Sequence, residues 1–266
     1  MKLLACPKCH QQLHLENKTL KCENNHCYDI SKRGYINLLL NPDKATNNPG
    51  DSKESLVARK AYLNKGYYDP ILNQVITCID EFKHQDDLSI LDLGCGEGYY
   101  TQGLKKHFEN SDVYGLDISK IAIDMATRYR KDVTWLVGNS KNIPILDHSL
   151  DFICALFTVV NQDELKRALK EDGYIVHVTA NLIEIKELIY DEIKVKSDKY
   201  IRLDFNQVKS YDFKEKVHIS NREDALNLLM MTPHYYHIKK EKRGVLDTLQ
   251  GLDITIDIKV TVYALS

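Results

Sequence analysis

The stretch Ser89-Ile90-Leu91-Asp92-Leu93-Gly94-Cys95-Gly96-Glu97-Gly98 passes from an apolar, strand-like run straight into three alternating glycines, and helical spacing resumes from Tyr99 to about His107. Strand, glycine loop and helix in that order make a ligand cradle at the carboxyl end of a parallel strand. Glycines belong there because a ligand must approach the backbone closely and because the turn demands dihedrals that a β-carbon resists. The start of the helix adds free N–H groups. A dinucleotide fingerprint would hold its third glycine one position later, where Tyr99 stands, so the spacing disfavours a pyrophosphate ligand. Asp92 is expected to accept N–H bonds from the loop and hold its shape. Asp117 ends the next apolar run, within the separation at which an acid meets ribose hydroxyls in such folds. Gly94, Gly96, Gly98, Asp92 and Asp117 are therefore the candidate ligand contacts.

Working outward, short apolar runs at 89–93, 112–116, 133–137, 151–157 and 173–178 alternate with helical stretches, a pattern that implies α/β architecture on a parallel sheet. Upstream, Leu56, Leu63, Ile71, Leu72, Val75, Ile76 and Ile79 recur at helical spacing, broken by Gly66 and Pro70, which predicts two helices over 56–82. Residues from 194 to about 222 read as charged and irregular. The last segment, 253–265, alternates apolar and polar residues and is expected to close the sheet as an antiparallel strand. No internal repeat or low-complexity tract interrupts the pattern.

The 266 residues have room for one such domain and a small appendage. A hydrophobic fraction of 43% with 28% charged residues excludes disordered and fibrous classes. No apolar run is long enough to span a membrane, and the opening MKLLACPKCH is interrupted too early for a signal-peptide core, so a cytoplasmic protein without a membrane partner is expected. The net charge of −2 argues mildly against a nucleic-acid partner. Its distribution argues the other way, because Lys2, Lys8, Lys18, Lys21, Lys32 and Arg33 outnumber Glu16, Glu23 and Asp29 near the N-terminus.

Four of the seven cysteines crowd into that same segment. Cys6-x-x-Cys9 followed by Cys22-x-x-x-His26 offers two ligand pairs with a connecting loop long enough to fold back, the spacing of a structural zinc site. Cys27 competes with His26 for the fourth position, and His10 and His14 are expected on the surface. Too short to bury a core of its own, the segment would need the metal to fold. Residues 1–40 thus read as a zinc-binding domain, 41–55, rich in Asn, Pro, Gly, Asp and Ser, as a linker, and 56–266 as the α/β domain.

The order Asp-x-Gly-x-Gly-x-Gly resembles the first motif of class I (Rossmann-like) methyltransferases, whose cofactor, S-adenosylmethionine, carries an amino-acid tail in place of a pyrophosphate. Taken together, CPKC, CENNHCYD, SKRGYINLL, NNPGDS, Ala58-Arg59, GYYDP, LDLGCGEGYYT, GLDISK, IYDE and MTPHYYH closely resemble the large-subunit rRNA methyltransferase A family over about residues 4–237. The resemblance implies methyl transfer to N1 of a guanine in the helix 35 hairpin of 23S rRNA, with the zinc domain helping to grip RNA. It implies zinc on Cys6, Cys9, Cys22 and His26, and cofactor contacts from Tyr68, Gly96 and Glu97. Asn139 stands where similar methyltransferases hold the adenine amino group. One departure is Asn181, which replaces the histidine of the family's H-L-x-E-L-K and keeps hydrogen-bonding capacity. Phe157, Thr158 and Asn161 stand where comparable enzymes place the target base. No residue reads as the proton acceptor, so the catalytic base is unassigned, and a homodimer is left open. The alternatives are a small-molecule methyltransferase with an architectural zinc site and a non-catalytic RNA-binding protein.

Overall fold

The computed structural model describes residues 1–40, 49–181, 183–190, 204–238 and 243–265. Strands β1 (His14–Glu16), β2 (Thr19–Lys21) and β3 (Cys27–Asp29) form a small antiparallel sheet near the N-terminus. After β4 (Ile36–Asn37) come helices α1 (Lys53–Leu63) and α2 (Asp69–Phe82), then β5 (Ser89–Leu93), α3 (Tyr99–His107), β6 (Asp112–Asp117), α4 (Lys120–Ala126) and β7 (Thr134–Val137). The chain continues through β8 (Leu150–Leu156), α5 (Gln162–Ala168), β9 (Leu169–Asn181), α6 (Ile183–Ile189), β10 (Asn206–Ile219), α7 (Arg222–Met230), α8 (Arg243–Thr248) and β11 (Leu252–Ala264). Eight of these strands form one sheet in the order β10-β11-β9-β8-β5-β6-β7-β4.

Pairings from β4 across to β9 are parallel, and β11 lies antiparallel between β9 and β10. From Ile90 to Leu93 β5 is buried on both faces, because helices cover each side of a parallel sheet, and Ile90, Leu91 and Leu93 supply its apolar contacts. Its alternating side chains feed two cores: Ile90 packs with Ile71, Val75 and Phe152, while Leu91 and Leu93 pack with Tyr114 and Ile153. From β5 the chain winds outward through β6 and β7, then returns to β8 on the other side. The order therefore switches between β5 and β8, and a crevice opens outside their carboxyl ends.

The two expected helices over 56–82 form with their break at Gly66, whose φ is +82°. The strand expected at 253–265 is β11, but it is an inner strand, because the segment expected to be irregular contains the 14-residue edge strand β10. Exposed lysines along β10 hide its alternation of Tyr211, Phe213, Val217 and Ile219 toward the sheet, and charged edges of this kind discourage further pairing.

The division at residues 40 and 55 also differs from the structure. Strand β4, from the expected zinc domain, joins the large sheet by pairing Ile36 with Leu136 and Asn37 with Val137. Residues 41–48 of the expected linker lie outside the described residues, but Gly50 and Asp51 line the central crevice. Ser52 caps α1 by accepting a hydrogen bond from the Ser55 N–H at 3.1 Å.

Candidate active site and metal centre

The crevice is a cavity of about 470 Å³. Gly94, Cys95, Gly96 and Glu97 border it from below, Asp117, Ile118 and Ser119 from the end of β6, and Leu156, Phe157 and Thr158 from the end of β8. All three loop glycines have positive φ, at +73°, +56° and +89° for Gly94, Gly96 and Gly98. Their reasons differ. A β-carbon at 94 would lie 2.3 Å from the Thr158 hydroxyl, and one at 98 would lie 2.7 Å from the Trp135 ring, so packing within the protein excludes side chains at both. At 96 the space opens toward the cavity, with only the Arg59 Nη1 at 3.3 Å, so this is the glycine that lets a ligand approach.

The loop is held differently from the expectation. Asp92, 2% exposed, accepts from the Thr101 hydroxyl of α3 at 2.6 Å. Asp117 holds the loop: its Oδ2 accepts from the Gly96 N–H at 2.9 Å and its Oδ1 from the Ser119 N–H at 2.8 Å. The N–H groups of Gly94 and Cys95 turn to the Leu116 carbonyl. Burial pushes the Asp92 carboxyl up to about 7 against the pull of Thr101, and burial raises Glu97 and Asp117 as well.

Among the described residues lining the cavity, Glu97 Oε1 and the Tyr100 hydroxyl are buried without a partner. Buried polar atoms are nearly always satisfied, so an unmet carboxylate oxygen and an unmet hydroxyl in one cavity lining fit a ligand bearing hydrogen-bond donors and positive charge. S-adenosylmethionine has both. Tyr68 is buried and lines the same cavity. Asn139 is outside the lining: its Oδ1 accepts from the Lys141 N–H at 3.0 Å, and the neighbouring Ser140 faces the cavity. Asn181 ends β9 opposite Asp257, and Ala180 lines the cavity in its place. Asn161 caps α5 by accepting from the Glu164 N–H at 3.1 Å. Phe157 is no core residue. It is 43% exposed with φ +56°, its ring centroid 6.4 Å from that of Tyr68 and 6.3 Å from that of Tyr100. A phenylalanine in the left-handed region is strained backbone of the kind found at ligand sites. Spacing alone carries no signal for Asp51, Ser119 or Tyr100, although all three lie within the motifs quoted above.

At the other centre, the ligand atoms of Cys6, Cys9, Cys22 and His26 lie within 4.8 Å of one another. Cys9 and Cys22 sulfurs are 3.6 Å apart, and His26 Nδ1 stands 3.4 Å from the sulfurs of both Cys6 and Cys22. A tetrahedron with metal–sulfur bonds of about 2.3 Å has sulfur–sulfur edges of about 3.8 Å, so the four atoms fit zinc. Cys27 is exposed and turned to the Asn25 carbonyl, which decides the fourth position for His26. His10 and His14 are exposed. The Tyr28 hydroxyl, 3.4 Å from Cys6 Sγ, supports that ligand from outside.

Comparison with known proteins agrees with both centres. The family described as "RlmA, N-terminal", a zinc ribbon, matches residues 4–45, and "Methyltransferase domain" matches residues 90–173. A Bacillus subtilis protein named "Putative 23S rRNA (guanine-N(1)-)-methyltransferase YxjB" is 27% identical over 98% of this chain and 96% of its own. The 23S rRNA (guanine(748)-N(1))-methyltransferase of Streptomyces fradiae is 28% identical over 71% of this chain and 67% of its own. A crystal structure from Bacillus halodurans C-125, described as a "putative methyltransferase", shares the fold with a TM-score of 0.53 at 12% identity, over 73% of this chain and all of the other.

Proposed function

We propose, from the premise that this chain belongs to the 23S rRNA (guanine-N1)-methyltransferase family, that it moves the methyl group of S-adenosylmethionine to N1 of a guanine in the helix 35 hairpin of 23S rRNA. The observation that carries the reading is the rim of the cavity, where the exposed, strained Phe157 stands beside Tyr68 and Tyr100. An exposed phenylalanine ring set against two tyrosines that reach into an acid-lined cavity suits a flat base brought to a cationic methyl donor.

When bound, the cofactor supplies a sulfonium methyl already activated toward a nitrogen nucleophile. What the chain adds is placement and exclusion of water. Gly96 lets the ligand lie against the backbone, Asp117 meets the ribose hydroxyls, and Glu97 meets the ammonium group. Asp92, Gly94 and Gly98 act one step back by holding the loop and the helix behind it. Guanine N1 is protonated and lies inside a Watson–Crick pair, so the base must leave its pair and enter the rim, stacked on Phe157. Cys6, Cys9, Cys22 and His26 hold zinc. An rRNA target implies a cytoplasmic enzyme, and sedimentation of the purified chain decides between a monomer and a homodimer. No helix among the described residues is long and apolar enough to cross a membrane.

The test is incubation with labelled cofactor and a helix 35 hairpin transcript. Label should enter the RNA and stop reverse transcriptase at one guanine, because N1 methylation blocks the pairing edge. A hairpin already methylated there should take no label. Label entering a metabolite extract and never RNA would favour the small-molecule reading. That alternative draws on the way the ribbon's Leu4, Leu13 and Leu20 merge with the large core, since such packing makes the zinc lobe architectural whatever the substrate.

A further inference from the structure

The cofactor's tail carries a carboxylate as well as an ammonium group, and the cavity is poorly furnished for an anion. Four acids line it, Asp51, Asp92, Glu97 and Asp117. The glycine loop offers little, because its N–H groups are committed within the protein. Those of Gly94 and Cys95 donate to the Leu116 carbonyl, that of Gly96 to Asp117 and that of Gly98 to the Cys95 carbonyl. At the start of α3 the backbone of Glu97 and Tyr99 already serves the Glu97 carboxylate. A carboxylate buried among acids without a cation would be strongly disfavoured.

Among the described residues lining the cavity, one lysine or arginine is present, Arg59 of α1. Its guanidinium is built in from two sides. Nη2 pairs with Asp51 Oδ2 at 2.5 Å and donates to the Met231 carbonyl at 3.2 Å, at the end of α7. Nη1 lies over the glycine loop, 3.3 Å from the position a β-carbon on Gly96 would take. A guanidinium has five N–H donors, more than those two partners use, and its planar fork matches a carboxylate. The side chain is 25% exposed, so water screens it only in part.

We propose that Arg59 binds the carboxylate of the S-adenosylmethionine tail, with Asp51 and the Met231 carbonyl fixing the guanidinium above Gly96. The assignment rests on the cofactor reading of this cavity and adds a residue that discriminates the intact amino-acid tail from one lacking its carboxylate.

Calorimetry without RNA tests it, using S-adenosylmethionine and its decarboxylated analogue on the wild-type chain, Arg59→Met and Arg59→Lys. The wild type should bind S-adenosylmethionine at least about tenfold more tightly than the analogue, as expected for a charged hydrogen-bonded pair. Arg59→Met should weaken S-adenosylmethionine by about 10- to 100-fold and the analogue by less than about threefold, removing the preference. Arg59→Lys should fall between, keeping the charge and losing the fork. Equal binding of the two ligands by the wild type overturns the proposal without any variant. So does an equal loss of both in Arg59→Met, which would make Arg59 a support of the loop alone. If the wild type binds neither ligand, the cofactor reading itself fails, a result distinct from either.

Discussion

A carboxyl group taken out of water holds its proton more tightly, and Asp92 is an extreme instance at 2% exposure. In the folded chain its pKa is about 7, against an ordinary value of 3.8. Between those values the folded state binds a proton that the unfolded state has released, so this group makes stability fall as pH rises from about 4 to about 7. Asp92→Asn keeps an acceptor for Thr101 and removes the titration. Its stability should decline less than that of the wild type between pH 5 and pH 7.5, by up to about 2.5 kcal/mol. Denaturant midpoints at the two pH values check this, and parallel declines would mean that Asp92 is charged in the fold. The site was legible in sequence to the level of strand ends: the glycine loop and Asp117 meet at one cavity because parallel strands deliver their carboxyl ends to one edge. Which acid takes the Gly96 N–H was not legible, since that depends on how the loop leans across onto β6. Nor does spacing reveal that Asn139 and Asn161 each spend the side-chain oxygen on a nearby backbone N–H, a local contact that asparagine readily makes.

Among the elements, the joint between β5 and α3 has the narrowest tolerance. Gly98, the residue before α3, has φ +89°, and a β-carbon there would fall 2.7 Å from Trp135 and 2.9 Å from Ala126 of α4. Left-handed backbone costs a side-chain-bearing residue roughly 1–2 kcal/mol, and overpacking against a buried ring adds about 1–3 kcal/mol. Gly98→Ala should therefore lower the stability by about 2–5 kcal/mol, read as a lower denaturant midpoint at unchanged slope. A loss under 1 kcal/mol would mean that Trp135 yields freely. The central strands were legible because burial on both faces leaves short apolar runs between turn signals. Strand β10 was not, although Tyr211, Phe213, Val217 and Ile219 alternate along it, because edge lysines and acids dominate its composition. Nor could spacing reveal that β4 leaves the zinc lobe to pair with β7, a contact between segments about 100 residues apart.

At the scale of the whole molecule, the zinc lobe and the catalytic body share one hydrophobic cluster, in which Leu4, Leu13 and Leu20 join Leu91, Leu93 and Ile143. Chelating the metal should lower the melting temperature of the entire chain in a single transition; a separate early transition would show that the lobe unfolds alone. The same attachment limits how the lobe could grip RNA. Arg33 is committed to Asp124 of α4 at 2.8 Å and serves the joint with the body. Lys8, Lys18 and Lys32 are exposed, and Lys21 is half-buried on β2. Lys18, in the turn between β1 and β2, and Lys21, at the end of the central strand β2, are the pair to test, because a rigid lobe would hold them at a fixed distance from the guanine in the rim. A lysine that neutralises a phosphate releases a counterion, so the logarithm of hairpin affinity should fall with the logarithm of salt by roughly 0.7 to 0.9 for each contact. Lys18→Ala plus Lys21→Ala should weaken binding at low salt and flatten that slope by about 1.4 to 1.8 if both lysines touch phosphate. Zinc content must be equal in the two proteins, since loss of the metal would also weaken the grip. The competing account is that these charges only keep a surface-rich lobe in solution. In that case slope and affinity would match in the two proteins, and the phosphate grip would have to be sought outside these two lysines.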